Sequence, residues 1–137
     1  MFNVKLNTQV AQAMGLVVID DEEEASQYTD GAYWVDGGEY FAVKVYYAVP
    51  KNNYDEDTGE VLVDPCEYYL SDYENDPYQQ ILMIEFLRSK LLLNIVYFKD
   101  HSIVNVLVGG MTELYTGKTT NEALINTIIA LHTKGIF

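Results

Sequence analysis

The sequence predicts an α+β fold, one domain of helices packed on an antiparallel sheet, and three stretches carry that prediction. Tyr40 to Val49, YFAVKVYYAV, alternates with period two, putting Phe41, Val43, Val45 and Tyr47 on one face and Tyr40, Ala42, Lys44 and Tyr46 on the other. Asp76 to Leu93, DPYQQILMIEFLRSKLLL, opens with an N-cap aspartate and a first-turn proline and is apolar nearly all round, so it is expected to be covered on several sides. Thr119-Thr120-Asn121-Glu122 is a capping box that starts a last helix.

Taken in order, Asn7 to Met14 is expected as a short helix capped by Asn7 or Thr8 and stopped by Gly15. Leu16 to Ile19 is a brief apolar run, and the five consecutive acids Asp20 to Glu24 read as a solvated loop. Ala32 to Asp36 is a short strand before a Gly37-Gly38 turn. Pro50 ends the alternating strand, the polar loop Asn52 to Gly59 follows, and Glu60 to Val63 and Cys66 to Leu70 return as strand. The expected result is a long, acidic, tyrosine-rich hairpin over about residues 40–70. After the central helix, Asn94 to Lys99 and Ser102 to Val108 flank an Asp100-His101 turn, and Gly109-Gly110 leads to a strand over Thr112 to Tyr115. In the last helix Ala123, Leu124, Ile128 and Leu131 face one way, with Glu122, Asn126 and Thr133 opposite. The predicted sheet is built from Ala32 to Val49, Glu60 to Leu70 and Asn94 to Tyr115. No repeat or linker divides the 137 residues, which suffice for one core.

Charge is the strongest global signal. The net charge is −13, and residues 20–76 hold seventeen of the twenty-one acids and nine of the twelve tyrosines against two lysines. Such a field repels nucleic acid and anionic membranes and attracts basic surfaces. Direct nucleic-acid binding is therefore not expected. The single Cys66 excludes an internal disulfide framework and a cysteine zinc cluster and fits a reducing compartment. MFNVKLNTQV lacks a signal-peptide core and no run approaches the roughly 18 apolar residues of a membrane span, so the expectation is a soluble, cytoplasmic protein.

The chemical motifs are weak. Gly117-Lys118-Thr119-Thr120 resembles the end of a phosphate loop, but the glycine required five residues earlier is Thr112, so a turn and helix cap is the reading. Asp55 to Glu60 resembles a calcium loop, but Gly59 comes one place early and the twelfth position is Cys66 rather than glutamate. His101 and His132 have no neighbouring ligands in sequence, and Cys66, Ser71 and Ser102 sit in no nucleophile motif. No catalytic residue, metal or cofactor is assigned.

Three stretches resemble the phage "ABA sandwich" domain family: VAQAMGL at Val10 to Leu16 with Trp34 downstream, SDYENDPYQQILMIEFLR at Ser71 to Arg88, and ELYTGKTTNEALINTIIALH at Glu113 to His132. The resemblance implies a bacteriophage origin and helices layered on an antiparallel sheet. It implies no reaction.

These readings lead to a small acidic binding protein, expected to inhibit a host defence or nucleic-acid-processing enzyme such as a CRISPR effector by imitating nucleic acid. The candidate partner-binding residues are Asp20, Asp21, Glu22, Glu23 and Glu24, then Asp55, Glu56 and Asp57, then Asp72, Glu74 and Asp76, with Tyr54, Tyr68, Tyr69 and Tyr73 as aromatic anchors. The alternatives are sequestration of a nucleotide signal by Lys99, Lys118 and Lys134, and a structural or accessory phage protein acting as a homo-oligomer, in the simplest case a homodimer.

Overall fold

In the computed structural model, which describes residues 2–23, 34–35, 39–40 and 43–137, the chain is α+β and every described strand pairing is antiparallel. Two compact units form, Met1–Ser71 and Asp72–Phe137, each with its own helices and strands.

In the first unit, α1 spans Val4–Ala13. Its cap is Asn3, whose side chain accepts the Leu6 amide hydrogen at 3.1 Å, so the expected start at Asn7 or Thr8 is one turn late. Asn7 is instead buried within the helix together with Val10, Ala11 and Ala13. Gly15, at φ 86°, turns the chain out of the helix. Strand β1, Leu16–Glu23, follows. Next come the two-residue strands β2, Trp34–Val35, and β3, Glu39–Tyr40, paired Trp34↔Tyr40 and Val35↔Glu39, then β4, Val43–Pro50. The expected Gly37-Gly38 turn, along with Ala32, Tyr33, Asp36, Phe41 and Ala42, lies outside the described residues.

The strand that pairs with β4 is β1, in a register running from Leu16↔Pro50 to Glu23↔Val43. This corrects two expectations: the acids Asp20 to Glu23 are strand rather than loop, and residues 40–70 are not one long hairpin. β4 buries Val45, Tyr47 and Val49, and Ile19 of β1 packs against them. Burying that apolar row requires an extended neighbour, and this outweighs the low strand propensity of Asp and Glu. Beyond β4 a 3-10 turn, Lys51–Asn53, leads into a short hairpin of β5, Tyr54–Asp55, and β6, Glu60–Val61. Cys66 to Leu70 is not a strand. Pro65–Tyr68 forms a second 3-10 turn, after which Tyr69 makes a single bridge to Tyr47 and the Leu70 amide donates to the Tyr46 carbonyl at 2.9 Å.

In the second unit, α2 spans Pro77–Lys90. Asp76 caps it by accepting the Tyr78 amide hydrogen at 2.9 Å, and Pro77 occupies the first turn, both as read from the sequence. The helix buries one stripe, Gln79, Met83 and Leu87, at four-residue spacing. Tyr78 and Ile81 remain 61% and 53% exposed, so the expected coverage on several sides is not found. The stripe packs chiefly on α3, Thr120–Thr133, and Phe86 beside it meets the Phe137 ring edge-on with centroids 5.0 Å apart.

Between the helices in sequence comes a three-stranded sheet of β7, Leu93–Tyr97, β8, Ser102–Val108, and β9, Met111–Gly117, in the order β7-β8-β9. It is separate from the strands of the first unit, so the predicted single sheet is instead several small ones. α3 lies on β8 and β9 and buries Ala123, Leu124, Ile128 and Leu131, the face read from the sequence, with Val104 and Val106 buried on the sheet. Gly117 is where β9 passes close to α3: a Cβ there would lie 2.3 Å from the Ala123 nitrogen. The Gly117→Ala variant is expected to lose about 1–3 kcal/mol of stability, since backbone must move to admit the methyl group. Asp76→Ala, which removes only the cap, is expected to lose about 1 kcal/mol. Chemical denaturation of the two variants beside wild type measures both.

Candidate functional site

The acids chosen from the sequence occupy three settings. Asp20 to Glu23 continue β1, facing Tyr46, Val45, Lys44 and Val43 across the ladder, with Glu22 opposite Lys44. In a strand, alternate residues emerge on one face about 6.8 Å apart, so these acids are spaced by the backbone itself. Glu24 lies outside the described residues.

The second setting is the β5–β6 hairpin. The Asp55 side chain accepts the amide hydrogens of Asp57 at 2.9 Å and Thr58 at 3.4 Å, and its carbonyl accepts that of Gly59 at 2.7 Å. Gly59, at φ 72°, supplies the left-handed residue the turn needs, and the Thr58 hydroxyl accepts the Glu60 amide hydrogen at 3.3 Å. Asp55 is thereby spent on shaping the tip, while Glu56 and Asp57 stand exposed on it.

The third setting is the loop before α2. Both Asp72 carboxylate oxygens accept from the Asn75 amide, at 3.2 and 3.0 Å, and Asp76 serves as the helix cap. Asn121, at the start of α3, fastens this loop through its side-chain amide, which donates to the carbonyls of Tyr73 at 2.9 Å and Asp76 at 3.1 Å. No sequence motif announces that clamp, since its partners lie 45 and 48 residues away.

The aromatic anchors fare less well. Tyr73 is 2% exposed, so its ring serves packing rather than contact with a partner. Tyr69 stacks on Tyr47 with ring centroids 5.2 Å apart, and both Tyr68 and Tyr69 pack against the β4 core. The Tyr68 hydroxyl accepts from the Asn53 amide at 3.3 Å, and Tyr54 is half-buried. The rings of Tyr68 and Tyr69 thus extend the β4 core.

Lys118 and Lys134 do not converge on one phosphate. Lys134 bonds Glu113 at 2.9 Å and the Tyr115 hydroxyl at 3.3 Å, while Lys118 lies beyond the other end of α3. Fourteen helical residues separate the ends by about 21 Å. Lys118 borders an open depression of about 430 Å³ with His101, Gly117, Glu122 and Asn126, where the Glu122 carboxylate opposes an anion and the Asn126 amide is already bonded to the Thr116 carbonyl. Among the described residues, no group of three His, Cys, Asp or Glu side chains is placed to hold a metal ion.

The Glu113, Tyr115 and Lys134 group does show shifted acidities. Hydrogen bonds from Lys134 and from the Tyr115 hydroxyl, at 2.7 Å, hold the Glu113 carboxyl below its usual 4.5. The bond to Glu113 raises Lys134 above its usual 10.5, and burial followed by the Glu113 bond raises Tyr115 above 10.0. Glu113's contribution to stability is complete above its unfolded pKa and lost as pH falls through the folded value, while that of Lys134 is complete below its unfolded pKa and lost as pH rises through the folded value. Thus Lys134→Met is expected to lower Tm slightly from about pH 5 to 10, with the difference closing toward about pH 3 and pH 12. Thermal melts of both proteins across that range measure it.

No protein-family model, curated protein or solved structure matches the chain. Among the described residues, no helix is long and apolar enough to cross a membrane.

Proposed function

We propose that the chain is a small acidic binding protein whose first unit docks on a basic protein surface, and that it inhibits a host defence or nucleic-acid-processing enzyme by occupying the groove meant for nucleic acid. The observation that carries this reading is the backbone setting of the acids. Residues 1–71 hold fourteen acids against three bases, and the described ones include four consecutive positions on a paired strand and a hairpin tip braced by Asp55. Acids carried on a paired backbone need no backbone ordering on binding, whereas those of a loose loop must be ordered first. The summed field steers a basic partner toward the acids and weakens as salt screens it.

The resemblance to a phage family supports a protein at work in the host cytoplasm. Sequestration of a nucleotide fits less well, because Lys118 and Lys134 stand at opposite ends of α3 and Lys134 is engaged. The chain has no proposed reaction.

The test is affinity capture from bacterial lysate between about 0.05 and 0.5 M salt. Wild type is compared with a variant in which Asp20 to Glu23 and Asp55 to Asp57 become Asn or Gln. Retention of a nucleic-acid enzyme that is released by salt, displaced by duplex DNA and absent from the variant's eluate is the expected result. Capture that neutralisation leaves intact would end the mimicry mechanism.

A further inference from the structure

The β7-β8-β9 sheet has two faces of different character. One lies under α3 and contains the buried Ser102, Val104 and Val106. Register assigns the other: Val96 pairs with Ile103 and Ile103 with Thr116, Asn94 with Asn105 and Asn105 with Leu114, and Leu107 with Thr112. None of these residues is charged, in a chain with twenty-one acids and eight bases. Leu107 and Leu114 are 39% and 61% exposed, and Leu92, just before β7, is 73% exposed. A depression of about 280 Å³ bounded by Leu92, Asn94, Asn105 and Thr112 gives the face relief.

We propose that this uncharged face is a self-association surface, through which two copies of the chain pack sheet on sheet about a two-fold axis. Charge selects the occupant. A basic partner finds no acid here to answer it. Two copies at −13 repel wherever their acids meet, and this face offers contact without placing charges opposite each other. The unit that carries it is nearly balanced, with seven acids against five bases. Its polar side chains are Asn and Thr, each both donor and acceptor, so a two-fold axis can pair the surface with itself. Stacking at about 10 Å is how antiparallel sheets ordinarily bury such faces.

The face is small. Strands of five, seven and seven residues at about 3.4 Å per residue and about 4.8 Å apart cover about 300 Å², below the roughly 800 Å² per partner of a stable interface. A contact of this size belongs with transient interfaces, so association is sought at high concentration, about 10 µM to 1 mM.

Sedimentation equilibrium over that range, at about 0.05 and 0.5 M sodium chloride, tests the proposal. Wild type is compared with Leu107→Asn/Leu114→Asn, which alters exposed positions on the face, and with Ile81→Gln, which alters an exposed apolar position on α2; circular dichroism verifies folding. Wild type is expected to form dimers that tighten with salt as repulsion between copies is screened, the opposite sign to docking on a basic partner. The double variant is expected to associate at least about tenfold more weakly, a difference of about 1.4 kcal/mol, and Ile81→Gln as wild type does. A monomer throughout, association that survives the double substitution, or association lost in Ile81→Gln would overturn the proposal.

Discussion

Eight residue pairs, from Leu16↔Pro50 to Glu23↔Val43, tie the acidic strand β1 to β4, the strand that contributes Val45, Tyr47 and Val49 to the first unit's core. Without that ladder, four successive acids would repel one another with nothing to hold them extended. With it, hydrogen bonding and apolar burial along the first half of β1 fix the acids in its second half. The same core recruits Tyr68 and Tyr69 from the turn after β6, so tyrosines that look available for contact in the sequence are largely committed to the fold. In the acidic unit, the packing of Val45, Tyr47 and Val49 with Ile19 thus sets where the β1 acids lie.

The second unit follows a different logic. α3 is its organising element, burying Leu124, Ile128 and Leu131 and packing on β8, β9 and α2. Its first turn gathers the neighbouring segments: Thr119 caps the helix, Thr120 shares a hydrogen bond with Ser102 at 2.8 Å, Asn121 holds the loop before α2, and Gly117 permits the close approach of β9. The Gly-Lys-Thr-Thr sequence that suggests a phosphate loop is explained by this junction. With charge nearly balanced and one sheet face uncharged, the unit lacks the electrostatic character of the first.

Of the three helix starts read from the sequence, those of α2 and α3 survive in the structure and that of α1 moves back one turn to Asn3. Asp76-Pro77 starts α2, and Thr119 accepts the Glu122 amide hydrogen at the start of α3, because a cap needs only its own turn. The strand over Ser102 to Val108 and the buried face of α3 are equally legible, since periodicity is a local property. Non-local pairing was not. Asp20 to Glu23 resemble a loop until β4 is known to lie beside them, and Asn121 resembles an ordinary first-turn residue until Tyr73 and Asp76 are brought to it. For α2, composition shows how apolar the helix is but not that burial falls on one stripe facing chiefly α3. Among the candidate contacts, Tyr73 departs from expectation for the same reason: its burial is set by the fold, and nothing in its neighbours announces it.

What unites these features is the claim that the acids of β1 stand on ordered, paired backbone rather than in a solvated loop. Solution NMR of the labelled protein addresses this directly, through cross-strand contacts and amide exchange at Asp20 to Glu23. The account predicts proximities between these residues and Val43 to Tyr46 in the observed register, with slowed exchange at the amides directed toward β4. Coil-like shifts and rapid exchange throughout Asp20 to Glu23, beside a protected Val45 to Val49, would contradict it.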